Sequence, residues 1–254
     1  MANPFQPLNE YFDKILVLTL PRLTDRIDYF NKTFDGLHFD FFYGVDKEKT
    51  SLDILKQQGL YSTEAYRKNY KKPAEISLGM LCCSLGHIYI YDYIIENNIA
   101  KTLIFEDDAV PVFSEIEKFP AIIKELPQDW DLLYLGYEKH DQLGWKEKLN
   151  QRYLTWFPHH TQLHLGREVF KNYYAVPVSK HIARAGFHDC AHAYALTLEG
   201  AKKLKKHSLP VSMHSDNLLP YLNCTGVLTG YISRTKLFTQ LSAFVHKIES
   251  MTAH

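Results

Sequence analysis

Short apolar runs, each cut off by a turn-forming or acidic residue and separated by helical stretches, constrain this chain most. Residues 14–20 (KILVLTL) form such a run, stopped by Pro21, and 39–43, 102–105 and 131–136 form three more. Runs of this length between amphipathic segments predict buried strands of a mostly parallel sheet with helices on both faces. The first helix follows the first strand, with Leu23, Ile27, Phe30 and Phe34 on one face. Residues 51–58 predict a short helix closed by Gly59, and 77–97 a long one with Leu81, Leu85, Ile88 and Ile95 turned inward. Ser114 and Glu117 have capping-box spacing ahead of Ile116, Phe119, Ile122 and Ile123. Later elements are a strand at 192–197, a helix around 200–204, a short helix near Asp216 and a strand at 226–233.

Two stretches lack this regularity. Residues 61–74 are polar and basic and predict an exposed loop; 137–184 collect His, Tyr and Gly and predict an irregular insertion on the acceptor side. The 254 residues suffice for one sizeable α/β domain, in which about 10–110 and about 111–254 form the two halves.

Charge removes one class of partner. Lys and Arg total 29, Asp and Glu also 29, so no basic field for nucleic acid exists. The cluster Arg67, Lys68, Lys71 and Lys72 reads as a solvated loop, with phosphate or a peripheral anionic membrane contact as its alternative. Cys82, Cys83, Cys190 and Cys224 offer neither a disulfide framework nor a Cys-x-x-Cys knuckle, and are expected as reduced thiols. No basic n-region with an apolar h-region opens the chain, and no apolar run reaches the ~20 residues of a membrane span. A cytoplasmic chain is expected, in which the sequons at Asn31 and Asn223 stay unmodified.

The chemistry is concentrated at Glu106, Asp107 and Asp108, directly after an apolar strand. Ligands gather at the carboxyl ends of strands in open α/β sheets. Three carboxylates there repel one another unless a cation neutralises them. A hard divalent ion, manganese in preference to magnesium, accepts carboxylate and pyrophosphate oxygens and stabilises charge on a departing diphosphate. A solvated acidic turn is the bland alternative. A phosphohydrolase or nucleotidyltransferase would use the same strand end. However, Asp107 is followed two residues on by Ala109 and the residue two before Asp108 is Glu106, so this strand end carries no Asp-x-Asp pair. Gly-rich phosphate loops and dinucleotide fingerprints are likewise lacking.

Taken in order, five segments resemble glycosyltransferase family 25, which includes lipooligosaccharide and procollagen galactosyltransferases. They are LVLTLPRLTDR, FDFFYGVD, GHIYIYDYIIENNIAKTLIFEDD, DWDLLYLG, and AYALTLEGAKKL followed by SDNLLP. The resemblance implies a GT-A type fold, a nucleotide-sugar donor (UDP favoured), a divalent metal, inversion at the anomeric carbon, and a glycan or glycolipid acceptor. This chain departs from the family pattern at Thr19, Lys47 and Gly86, around the expected nucleotide pocket. A degenerate fold that only binds sugars is the alternative those departures leave.

The resemblance assigns roles residue by residue. Asp108 is the expected direct metal ligand, and Glu106 and Asp107 are expected on ribose, base or metal-bound water. Asp216, in the Asp-x-x-Leu-Pro segment, is the expected catalytic base, with helix capping as its alternative. Thr19 and Arg22 are expected near the nucleotide, with Arg22 preferred for phosphate over Arg26, which could simply decorate its helix. Asp46 is expected on ribose or in a turn, and His87 as a packed residue beside the site. Of the 13 His, the cluster His159, His160 and His164 lacks further ligands for zinc and is expected in an acceptor loop. Trp156, Tyr173 and Tyr174 are candidates for sugar stacking.

Overall fold

The computed structural model describes residues 3–72, 75–158 and 161–241, leaving aside the side chains of Cys190 and Ala191. The expected roles of His159, His160 and the Cys190 thiol therefore lie outside the described residues, while Cys82, Cys83 and Cys224 are free thiols.

Among the described residues ten strands form: β1 (Lys14–Thr19), β2 (Asp40–Tyr43), β3 (Lys101–Glu106), β4 (Ala109–Pro111), β5 (Leu132–Glu138), β6 (Val176–Pro177), β7 (Ile182–Arg184), β8 (Asp189–Thr197), β9 (Gly230–Ser233) and β10 (Phe238–Gln240). Eight of them make one sheet in the order β2-β1-β3-β8-β5-β9-β7-β6, and β10-β4 is a separate pair. Strands β1, β2 and β3 are mutually parallel, as are β5 and β9. β8 runs antiparallel between β3 and β5, so those two strands end at the same edge of the sheet. The mostly parallel α/β sheet expected of a GT-A type fold is thus present, with β8 and β7 reversed.

Alternation along the strands builds two cores. Ile15, Val17, Leu103 and Phe105 face one side, with Phe30, Phe34, Phe119 and Ile122 from helices Thr24–Thr33 and Phe119–Glu125. Leu16, Leu18, Ile104 and Tyr194 face the other, against helices Leu78–Glu96, Leu198–Ser208 and Ser215–Cys224. A strand buried on both faces cannot alternate with polar residues, which is why these segments read as continuous apolar runs.

Helix Leu78–Glu96 forms where the long inward-facing helix was expected, and only the expectation that nothing reaches membrane length needs correcting. Its length and composition are those of a helix able to cross a membrane. In the fold it is a core helix packed against the sheet, with Leu81, Leu85, Ile90 and Ile94 fully buried. Residues 61–74 are also not simply an exposed loop. Thr63–Asn69 is a helix capped by Ser62, and Tyr61, Tyr66 and Tyr70 on that segment are buried, the last two stacked at 4.3 Å. The Ser114 capping box does not form, because Phe113–Ile116 already includes Ser114 and a separate helix starts at Phe119. Among the described residues of 137–184, two helices stand, Trp145–Trp156 and Arg167–Lys171.

Candidate active site at the end of the third strand

Strand β3 is buried from Thr102 to Phe105 and turns polar at Glu106, which pairs in register with Leu18 of β1. That register sets Thr19 beside the acidic turn, where its hydroxyl donates to Asp107 Oδ2 at 2.6 Å. From helix Thr24–Thr33, Arg26 Nη1 donates to Asp107 Oδ1 at 3.0 Å and lies 3.7 Å from Asp108 Oδ2. Asp108 Oδ1 is buried without a hydrogen-bond partner. After the turn, β4 pairs with β10, which brings the Gln240 side chain to hydrogen-bond with Glu106 and the Leu241 amide to Asp108 O at 2.9 Å.

The electrostatics of this corner are those of excess negative charge in a poorly hydrated place. Burial raises the Glu106 pKa, and repulsion from Asp216 and Asp107 adds to it. Asp108 is pushed up to about 7, by burial first and the Glu106 charge second, against Arg26. Burial raises Asp107 too, although Thr19 and Arg26 oppose it. One guanidinium therefore faces four carboxyl groups, since Asp216 also belongs to this field. A divalent cation would relieve the repulsion, and the orphaned Asp108 oxygen is chemically suited to bind it.

On the other side of Glu106, helix Leu78–Glu96 contributes Cys83 and His87, one turn apart. His87 Nδ1 is 2.8 Å from the Tyr194 hydroxyl, and its Nε2 is 3.4 Å from Glu106 Oε1. Burial pushes His87 down and Glu106 up, so each shift favours the uncharged form of its group across this contact. Imidazole Nδ1–H donating to Tyr194, with Nε2 accepting from the Glu106 carboxyl, satisfies both rings. The Tyr91 hydroxyl lies 3.4 Å from that of Tyr194. The Cys83, His87 and Glu106 ligand atoms lie within 4.8 Å of one another, the one group at metal-binding spacing among the described residues. Asp107 and Asp108 stand outside that group.

The remaining candidates divide into two. Asp216 joins the acidic corner through space. Its helix, Ser215–Cys224, has His214 at the cap position with no side-chain cap, so Asp216 sits in the first turn instead. Arg22 and Asp46 pair with each other, Arg22 Nε reaching both Asp46 oxygens at 3.2 and 3.0 Å. Burial tends to raise Asp46, but the Glu48 amide and Arg22 outweigh it and leave the carboxyl below its usual range. Arg22 also meets Glu48 at 3.3 Å. Arg26, read as surface decoration, is instead the arginine on the triplet. Tyr174 is buried and accepts from Asn150 Nδ2 at 2.7 Å, whereas Trp156 is exposed. Four residues of the corner escaped the sequence reading: Cys83, Tyr91, Tyr194 and Gln240. The one local signal was the four-residue spacing of Cys83, His87 and Tyr91 on a single helix.

The sequence pattern of glycosyltransferase family 25 (LPS biosynthesis protein) matches residues 12–219. The chain is 25% identical over 206 residues to procollagen galactosyltransferase 2 of Mus musculus, covering 79% of this chain and 28% of that protein. A glycosyltransferase 25 family member of Aedes aegypti is 26% identical over 196 residues, covering 75% of this chain and 27% of that one. A Bos taurus relative named probable inactive glycosyltransferase 25 family member 3 is 23% identical over 232 residues, 86% and 33% of the two chains. The matched region thus spans about a third or less of each of these relatives.

Proposed function

The chain belongs to glycosyltransferase family 25, and on that premise we propose that it transfers a hexose, galactose in first place, from a UDP-sugar to a hydroxyl of a glycan or glycolipid. The observation that carries this reading is the half-buried carboxyl cluster at the end of β3, with the Asp108 pKa raised to about 7 and one of its oxygens buried without a partner.

Asp108, with Glu106, would hold a divalent cation, manganese for preference. That ion supplies charge neutralisation for the diphosphate of the donor. Thr19 and Arg26 fix Asp107, which keeps the turn in one geometry before any ligand arrives. Tyr194 orients His87, and His87 in turn holds Glu106. Asp216 serves as the general base: it takes the acceptor hydroxyl proton while the oxygen attacks the anomeric carbon and the bond to the diphosphate breaks. Attack opposite the leaving group inverts the anomeric configuration.

Thermal-shift measurements with UDP-, GDP- and CMP-sugars, each with and without manganese, test the reading. Stabilisation by a UDP-sugar that requires manganese, followed by slow hydrolysis of that donor, is the expected result. No response to any nucleotide sugar would overturn it. Stabilisation without any hydrolysis or transfer would instead favour a binding protein.

A further inference from the structure

Helix Trp145–Trp156 (WKEKLNQRYLTW) has no buried residue, yet it carries two tryptophans, a tyrosine and two leucines. Trp145, Leu149, Tyr153 and Trp156 are 70%, 60%, 46% and 65% exposed, and Phe157 just beyond is 53% exposed. Their spacing of four, four and three residues places the first four on one face, a stripe roughly 16 Å long at 1.5 Å per residue. The opposite face fastens the helix to the protein. Leu154 packs on the cluster of Leu165, Val169 and Phe170, Asn150 donates to the Tyr174 hydroxyl, and Gln151 donates to Lys171 O. The stripe is therefore held outward by the fold.

We propose that this helix docks the protein onto an anionic lipid surface, with its aromatic face at the headgroup boundary. The charges around the stripe select this occupant. Lys146, Lys148 and Arg152 lie on the exposed side with Glu147 the helix's one acid, so the face is apolar with a basic fringe. Tryptophan and tyrosine settle at the interface between headgroups and acyl chains, and lysine and arginine extend beside them to phosphates. A second copy of the chain would set the same cations against one another across the contact.

The placement gives docking a purpose. Strands β3 and β5 end at one edge of the sheet, and the helix follows shortly after β5. The same excursion reaches back to the site, where Leu163 bridges to Tyr70 and the Tyr70 hydroxyl accepts from Asn217, next to Asp216. Docking there would suit an acceptor sugar carried on a lipid. The choice of a lipid-linked acceptor rests on the transfer reading; the docking does not.

Flotation of the full chain with phosphatidylcholine vesicles, with and without phosphatidylglycerol, separates the two. Wild type should float with the anionic vesicles, weakly with the neutral ones, and less as salt rises. The pair Trp145→Ser and Leu149→Ser should cut partitioning by more than about tenfold, and Lys148→Glu with Arg152→Glu should do the same at low salt. Both variants should keep the wild-type melting temperature and donor hydrolysis, since none of these residues belongs to the acidic corner. Undiminished flotation of both variants, or no flotation of folded wild type, would overturn the docking. So would a wild-type dimer in light scattering that the tryptophan variant abolishes, because a second copy would then own the stripe. Loss of donor hydrolysis with flotation intact would count only against the transfer reading.

Discussion

Arg26 Nη1 donates to Asp107 Oδ1 at 3.0 Å and stands 3.7 Å from Asp108 Oδ2. The guanidinium anchors one carboxylate and only partly offsets the next, so it organises the acidic corner without neutralising it.

Replacing Arg26 by methionine keeps the stem but removes the charge. Both side chains of the pair retain some solvent contact, so the metal-free protein should lose about 1–3 kcal/mol, less than a fully buried pair would cost. Urea denaturation measures this, and saturating manganese should recover part of the loss. No change in midpoint would mean that Arg26 contributes nothing to holding the turn.

Asp108→Asn removes a carboxyl that the fold holds unfavourably, with its pKa near 7. Metal-free stability at neutral pH should therefore stay level or rise, while manganese-dependent binding of a UDP-sugar weakens by more than about tenfold. Titration calorimetry with and without manganese reads both. An unchanged manganese dependence would remove Asp108 from the metal site.

Buried histidines should make the protein acid-labile. His188 accepts from the Gly186 amide through Nε2 and donates through Nδ1 to Lys139 O, a pattern only the neutral ring satisfies. Burial lowers His188 from 6.5 to about 4, and His192 and His214 likewise to about 4. Between those values the unfolded chain binds protons that the folded one refuses, so stability falls as pH drops from about 6.5 toward about 4. Asp108 and Glu106, whose folded values are raised, act in the opposite sense and lose stability as pH rises. The acid-side decline in melting temperature should therefore be steeper in Asp108→Asn than in wild type. A parallel pair of curves would contradict the assignment for Asp108.

Gly136 on β5 leaves room for a histidine. A Cβ there would fall 2.4 Å from His192 Nε2 and 3.0 Å from Phe238 O. Gly136→Ala should cost about 1–3 kcal/mol by overpacking, readable as a lowered urea midpoint. An unaffected midpoint would mean that His192 can shift without loss.

Where burial and pattern agreed, the sequence was legible. The run from Thr102 to Phe105 could only be a buried strand, and three acids after it could only lie at its carboxyl end. Elsewhere pattern and burial disagreed. Lys68, Lys71 and Lys72 made residues 61–74 look like a solvated loop, although Tyr66 and Tyr70, four apart, are buried on one helix face. Helix Trp145–Trp156 was hidden for the opposite reason: its regular apolar face points outward, so it did not read as a core helix.

The amino-acid order alone determined the first and third strands, the acidic turn and the long apolar helix, because each depends on neighbours within a few residues. Only the tertiary structure decided that Arg26 and not Arg22 meets the triplet, that Tyr194 holds His87, and that Asp216 shares a field with Glu106. Those partners lie 81, 107 and 110 positions apart along the chain (107 − 26, 194 − 87 and 216 − 106). Their meeting follows from strand order: β8 inserts antiparallel beside β3, and the helices on one face converge on Glu106. No local spacing encodes that arrangement, because contacts of such separation form only once the whole sheet has assembled.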